Sequence, residues 1–207
     1  CIVDSGNFDW EAHHDRFTGL TEPDESYHGI VYTERFGKMA YIMKATAQLM
    51  RDLGSIPSPQ NSFLLNLGLE TLHLRMPRHC ESALKIAAYL QSREDVEWVR
   101  YPGLPGDKYY QVAQKYMPGG TCGVISFGLK GGREAAAEFM DKLKLCSIET
   151  HVADSRTAVL HPASHTHRQL TNEQLVEAGV DPSMIRFSVG LESADDIIED
   201  IRQALED

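Results

Sequence analysis

From residue 96 to the end, the chain alternates short strand-like and helix-like pieces, and this rhythm limits the possible folds more than any other feature. Residues 96–101 (VEWVRY) and 123–128 (GVISFG) read as strands, the first ended by Pro102 and Gly103. Residues 107–117 read as a helix stopped by Pro118-Gly119-Gly120, and residues 133–143 as another. Two further short strands are expected at 147–152 and 157–160. Residues 171–179 carry a helix in which Thr171 and Gln174 form a capping box, Leu170 and Leu175 are spaced for a hydrophobic staple, and Gly179 closes the end. In 184–189, apolar Ile185, Phe187 and Val189 alternate with Met184, Arg186 and Ser188. One face of that strand therefore fills a core while the other carries Arg186. Ser193 and Asp196 cap a last helix bearing Ile197, Ile198, Ile201 and Leu205. The expected product is an α+β layer, a small sheet covered by helices.

The front of the chain reads differently. Residues 1–3 (CIV) look like the end of a strand, and residues 9–35 form a long polar and aromatic stretch with no sustained period and one clear turn at Glu22-Pro23-Asp24. A loop of that length in a compact protein serves function or an interface. Met39, Ile42, Met43, Leu49, Met50 and Leu53 recur at helical spacing ahead of Gly54, which predicts a buried amphipathic helix over 38–53 with a glycine C-cap. Pro57 and Pro59 force an extended break. A helix rich in Leu, Ala and Ile then covers 62–92, with a kink or break expected at Pro77. The resulting division places the end of one domain at 1–76, a linking helix at 77–92 and a smaller domain at 93–207. The apolar faces at 1–3 and 38–53 have no sheet of their own to cover them, so the chain reads as part of a longer polypeptide.

Composition removes several classes of function. With 207 residues and 42% hydrophobic content the chain can build a core. A net charge of −10 without a Lys or Arg run speaks against a nucleic-acid or anionic-membrane surface. No apolar run approaches the span of a bilayer, and a cytoplasmic protein is expected. Cys1, Cys80, Cys122 and Cys146 form no C-x-x-C pair, so neither a zinc ribbon nor a disulfide framework is expected. His161, His165 and His167 with Asp154 are suitable ligand types for zinc or iron, but Pro162 places them on a loop without fixed spacing, and no metal is expected. Gly119-Gly120 and Gly131-Gly132 stand in neither phosphate-loop pattern and read as turns. Arg186 offers a planar fork of donors suited to a carboxylate or phosphate.

Several blocks in fixed order carry a more specific signal: residues 157–167 (TAVLHPASHTH), 169–174 (QLTNEQ), 178–182 (AGVDP) and 185–192 (IRFSVGLE). Together they resemble the C-terminal signature of the pyridoxal-phosphate (PLP) enzymes of cysteine and methionine metabolism. Residues 68–76 (GLETLHLRM) resemble the helix that joins the two domains in that family, and residues 17–32 (FTGLTEPDESYHGIVY) resemble an insertion of its O-acetylhomoserine sulfhydrylase branch. The resemblance implies a mixed α/β and α+β architecture, the C-terminal part of a type I PLP-transferase fold. It also implies an activity for the whole enzyme, exchange of acetate for sulfide on O-acetylhomoserine with the cofactor as electron sink. By position, Arg186 would grip the substrate's α-carboxylate and Thr157 would help hold it. The family anchors its cofactor on a lysine in a Ser-x-Thr-Lys setting, and none of these 207 residues forms one, so that lysine is expected upstream of Cys1. The family also implies a homotetramer with active sites shared between subunits. Two alternatives stay open at this point: a cystathionine or methionine lyase or synthase of the same family, and a stand-alone, non-catalytic module.

Overall fold

A computed structural model of the chain describes residues 2–206. It divides into two compact units, Cys1–Asn66 and Leu67–Asp207. Among the described residues no helix is long and apolar enough to cross a membrane.

In the first unit the expected loop at 9–35 is a series of short helical turns, Glu11–His13, Thr18–Thr21, Glu25–Tyr27 and Tyr32–Phe36. None is long enough to display a period, which is why the sequence shows no helical pattern there. Aromatic contacts hold them: Trp10 stacks on Tyr41 with ring centroids 5.6 Å apart, and Tyr27 stacks on Tyr32 at 5.9 Å. Tyr32 is fully buried and its hydroxyl donates to Gln48, while Lys44 pairs with Asp24 at 2.5 Å. The helix expected at 38–53 is present as consecutive turns, with a π-helical segment at Ala45–Met50 and Gly54 left-handed at its end (φ 65°). Its apolar stripe is not buried, however. Leu53 is 76% exposed and Met39, Leu49 and Met50 are also exposed, because the described residues of this unit form no sheet for the stripe to pack on. For the same reason Ile2 and Val3 lie outside any strand; Cys1, the first residue of that expected strand, lies outside the described residues.

The helix α1 (Pro59–Glu70) starts on a proline, a favoured first position, and buries none of its residues. The break expected at Pro77 falls instead at Thr71, ahead of α2 (Leu72–Gln91), and Pro77 lies within α2. Arg75 stabilises this junction by donating to the Gly68 carbonyl (2.7 Å) and to the Thr71 hydroxyl (3.2 Å). Residues 77–92, expected as a link, supply the stripe Ala83, Ile86, Ala87 and Leu90 to the core of the second unit.

That core lies against one face of a five-stranded sheet built from β1 (Val96–Arg100), β2 (Val124–Leu129), β3 (Ser147–Ile148), β4 (Ala158–Leu160) and β5 (Met184–Ser188), in the order β1-β2-β5-β4-β3. Only the β3/β4 pair is parallel. Ile125, Phe127, Val159, Ile185 and Phe187 point to the helices and are fully buried. They meet α2, α4 (Gly132–Lys142) and the last helix α6 (Ala194–Glu206), with Phe127 edge-on to Phe139 at 6.0 Å. Of the shorter helices, α3 (Tyr110–Tyr116) begins later than the sequence suggests, since Asp107 spends its carboxylate on the N–H groups of Tyr101 and Tyr109. α5 (Asn172–Glu177) has the expected Thr171/Gln174 capping box. β3 ends at Ile148 and not near 152, as Thr150 and Ala153 are drawn toward β5.

Candidate functional site

The opposite face of the sheet is set by the strand register. Arg186 on β5 pairs with Ser126 on β2 and Leu160 on β4, and Ser126 pairs in turn with Arg100 on β1. Paired residues share a face, so Arg100, Ser126 and Arg186 form a polar row turned away from the helices. Arg186 is half-buried there, as the alternation in 184–189 predicts. Its Nη2 donates to the Thr150 carbonyl at 2.8 Å, while its Nε is shielded from solvent and has no partner. The guanidinium is thus oriented but only partly used, an arrangement suited to receiving an anion's oxygen.

Thr157 is fully buried, and its side chain is committed. The hydroxyl donates to Glu192 Oε2 (2.9 Å) and accepts from the Gly190 N–H (3.0 Å), and the Thr157 N–H donates to Glu192 Oε1 (2.7 Å). Gly190 is required by this close crossing, because a Cβ there would come within 2.5 Å of the Arg156 carbonyl carbon and the Thr157 nitrogen. Thr157 precedes β4 and lies three residues before Leu160, the neighbour of Arg186, with the opposite strand parity. Among the described residues Thr157 and Arg186 share no hydrogen bond.

The histidine-rich loop does not converge on a common point. His161 is buried between the Pro182 carbonyl (2.9 Å from Nε2) and the Ser164 hydroxyl (2.9 Å from Nδ1), and burial pushes its imidazole below the ordinary histidine value. His165 bonds the His161 carbonyl and His167 bonds Thr166. Glu149, His151 and Asp154 do cluster, with one ligand atom from each within 4.8 Å of the others. Arg156 already lies 3.7 Å from both carboxylates, so this group acts as an ionic clasp on the loop.

The sequence singles out Arg186 and places Ser188 on the same face by period-two spacing, but Thr150, the partner of Arg186, and Glu192, the partner of Thr157, carry no comparable signal.

A sequence profile of the family described as Cys/Met metabolism PLP-dependent enzyme matches residues 25–206. Relatives include O-acetyl-L-homoserine sulfhydrylase 1 of Thermus thermophilus, 47% identical over 99% of this chain, and homocysteine synthase of Schizosaccharomyces pombe, 46% identical over 99%. Each match covers 48% of the relative, so the chain spans about half the length of the curated relatives it matches. Among solved structures it resembles a putative O-acetylhomoserine (thiol)-lyase from Campylobacter jejuni, with TM-score 0.79, 38% identity and coverage of 93% of this chain and 46% of that one. That structure carries a pyridoxyl-lysine at position 205. A sulfhydrylase of Wolinella succinogenes is similar over 84% of this chain and 46% of its own, with TM-score 0.68 and 34% identity. The chain therefore belongs to the family of PLP-dependent enzymes of cysteine and methionine metabolism.

Proposed function

We propose that these residues are the C-terminal half of a cytoplasmic O-acetylhomoserine sulfhydrylase, which converts O-acetylhomoserine and sulfide into homocysteine and acetate, and that they hold the amino-acid substrate by its α-carboxylate. Residues 1–76 would complete the large cofactor domain, 77–92 would link, and 93–207 would form the small domain of a homotetramer. The names of the relatives and the 17–32 stretch favour the sulfhydrylase over the cystathionine-handling branches.

The cofactor's anchor does not fit these residues. Lys44, Lys85 and Lys142 are each paired with a carboxylate, Asp24, Asp195 and Glu138, and no lysine of the chain stands in a Ser-x-Thr-Lys setting. The amine that holds PLP is assigned to the preceding half, and the role left to this half is seating the substrate.

One observation carries the reading: the half-buried Arg186 guanidinium, fixed by Thr150 through Nη2 with the rest of its fork uncommitted. A carboxylate would complete it. Thr157 is buried nearby on the chain entering β4, and for its hydroxyl to join the same carboxylate it must leave Glu192. A charge-assisted contact of this kind contributes about 1.5–3 kcal/mol. Arg186→Ala in the full-length enzyme is therefore expected to raise KM for O-acetylhomoserine by about 10- to 100-fold, with KM for sulfide unchanged. An unchanged KM for the amino acid would remove Arg186 from the site. Product analysis with O-acetylhomoserine plus sulfide against cystathionine separates the sulfhydrylase from a lyase.

A further inference from the structure

The 149–156 loop runs beside β5 and is tied to that strand and its exit at three points. The Thr150 carbonyl accepts from Arg186 Nη2 (2.8 Å), the Ala153 N–H donates to Ser188 Oγ (3.1 Å), and the Ser155 carbonyl accepts from the Leu191 N–H (2.8 Å). Arg186 and Ser188 are two residues apart on one strand and so share a face. Ser188 is only 2% exposed, and its hydroxyl is the tie next to the one that holds Arg186. Ala153 is left-handed, with φ 60°, a conformation that costs a non-glycine residue energy and persists only where neighbouring contacts hold it. The N–H exposed by that turn is the one Ser188 captures. On the loop's outer side, Glu149, His151, Asp154 and Arg156 form the ionic clasp.

We propose that Ser188 is a positioning residue for substrate capture. By holding Ala153 it fixes where the Thr150 carbonyl stands, and that carbonyl aims the Arg186 guanidinium through Nη2 and leaves the rest of its fork for the ligand. The inference rests on the carboxylate-binding role proposed for Arg186. An arginine side chain is long and rich in rotamers, so a substrate that must first order it binds more weakly. Removing the Ser188 hydroxyl loosens the loop and returns that ordering cost to the binding step. The chemistry that follows binding is untouched.

The test is a double-mutant cycle in the full-length holoenzyme with Ser188→Ala, Arg186→Ala and both together, reading KM and kcat for O-acetylhomoserine and KM for sulfide. Ser188→Ala is expected to raise KM for the amino acid about fivefold with kcat and the sulfide KM held, since one neutral hydrogen bond is lost. It is expected to add nothing in the Arg186→Ala background. Hydrogen exchange at the Ala153 amide, read without substrate, should quicken in Ser188→Ala. The proposal is overturned by an unchanged KM or unchanged Ala153 protection in Ser188→Ala while Arg186→Ala is impaired, or by effects that multiply in the double variant. If Arg186→Ala itself leaves KM unchanged, the carboxylate-binding reading fails first, and Ser188 loses its role with it.

Discussion

Asp200 offers the strictest test of how the second unit is held together. It lies on the buried side of α6, 5% exposed, among Ile197, Ile201 and Ala204. Its carboxylate accepts the N–H groups of Lys144 (2.8 Å), Leu145 (3.0 Å) and Cys146 (2.9 Å), the three residues that lead into β3. Burial pushes its carboxyl up, but the N–H groups of Cys146, Lys144 and Leu145 outweigh burial and leave it below the ordinary aspartate value. In Asp200→Ala all three donors lose their acceptor, at about 1 kcal/mol each once the cost of burying the carboxylate is set against them, so local opening of 144–146 becomes easier by about 3 kcal/mol, or roughly a hundredfold. Hydrogen exchange of a peptide covering 143–148 in the full-length protein reads this directly. Because the folded value is depressed, the stabilisation is fully present above the unfolded aspartate value of about 3.9 and is lost as pH falls below it. The wild-type protection should therefore decline on acidification, while the variant shows no such decline. Acceleration of less than about fivefold at neutral pH would refute the reasoning, because three charge-assisted bonds cannot total so little.

Two further outcomes follow from the same reasoning. Gly190→Ala is expected to cut the yield of folded protein and destabilise it by more than about 3 kcal/mol, since its Cβ would collide with the backbone of Arg156 and Thr157 as well as with the Glu192 carboxylate; a urea melt within about 1 kcal/mol of wild type would contradict this. Asp24 is held at about 2 by its hydrogen bonds to Lys44 and, second, to Ser26, so its contribution, about 2 kcal/mol, is present above pH 4 and disappears as pH falls toward 2; Lys44→Ala should shrink that acid-sensitive component of stability measured across this range, leaving the part due to Ser26.

How much of this was legible depends on whether a signal is periodic. The strands and helices from Val96 onward follow from alternation and helical spacing, and the Thr171/Gln174 cap from two residues three apart. The 9–35 turns escaped because three- to five-residue helices cannot repeat a pattern, and Pro77 misled because Arg75 and Thr71 end the preceding helix before the proline is reached. Exposure of the 38–53 stripe reflects missing neighbours, which no local pattern reports. The Asp200 bonds bridge 54 to 56 positions and the Arg186–Thr150 bond bridges 36, so neither partner is deducible locally. An aspartate within an apolar stripe does at least mark Asp200 as a residue needing an explanation.

The alternation along β5 gives neighbouring codons different genetic meanings. Ile185, Phe187 and Val189 are sealed in the core, so lesions there reduce how much protein survives in the cell. Arg186 and Ser188 face the other way, where a shortening to alanine changes what each molecule can do more than how much of it survives. A scan of these five positions would yield two phenotypes interleaved residue by residue, separable by comparing abundance with turnover per molecule.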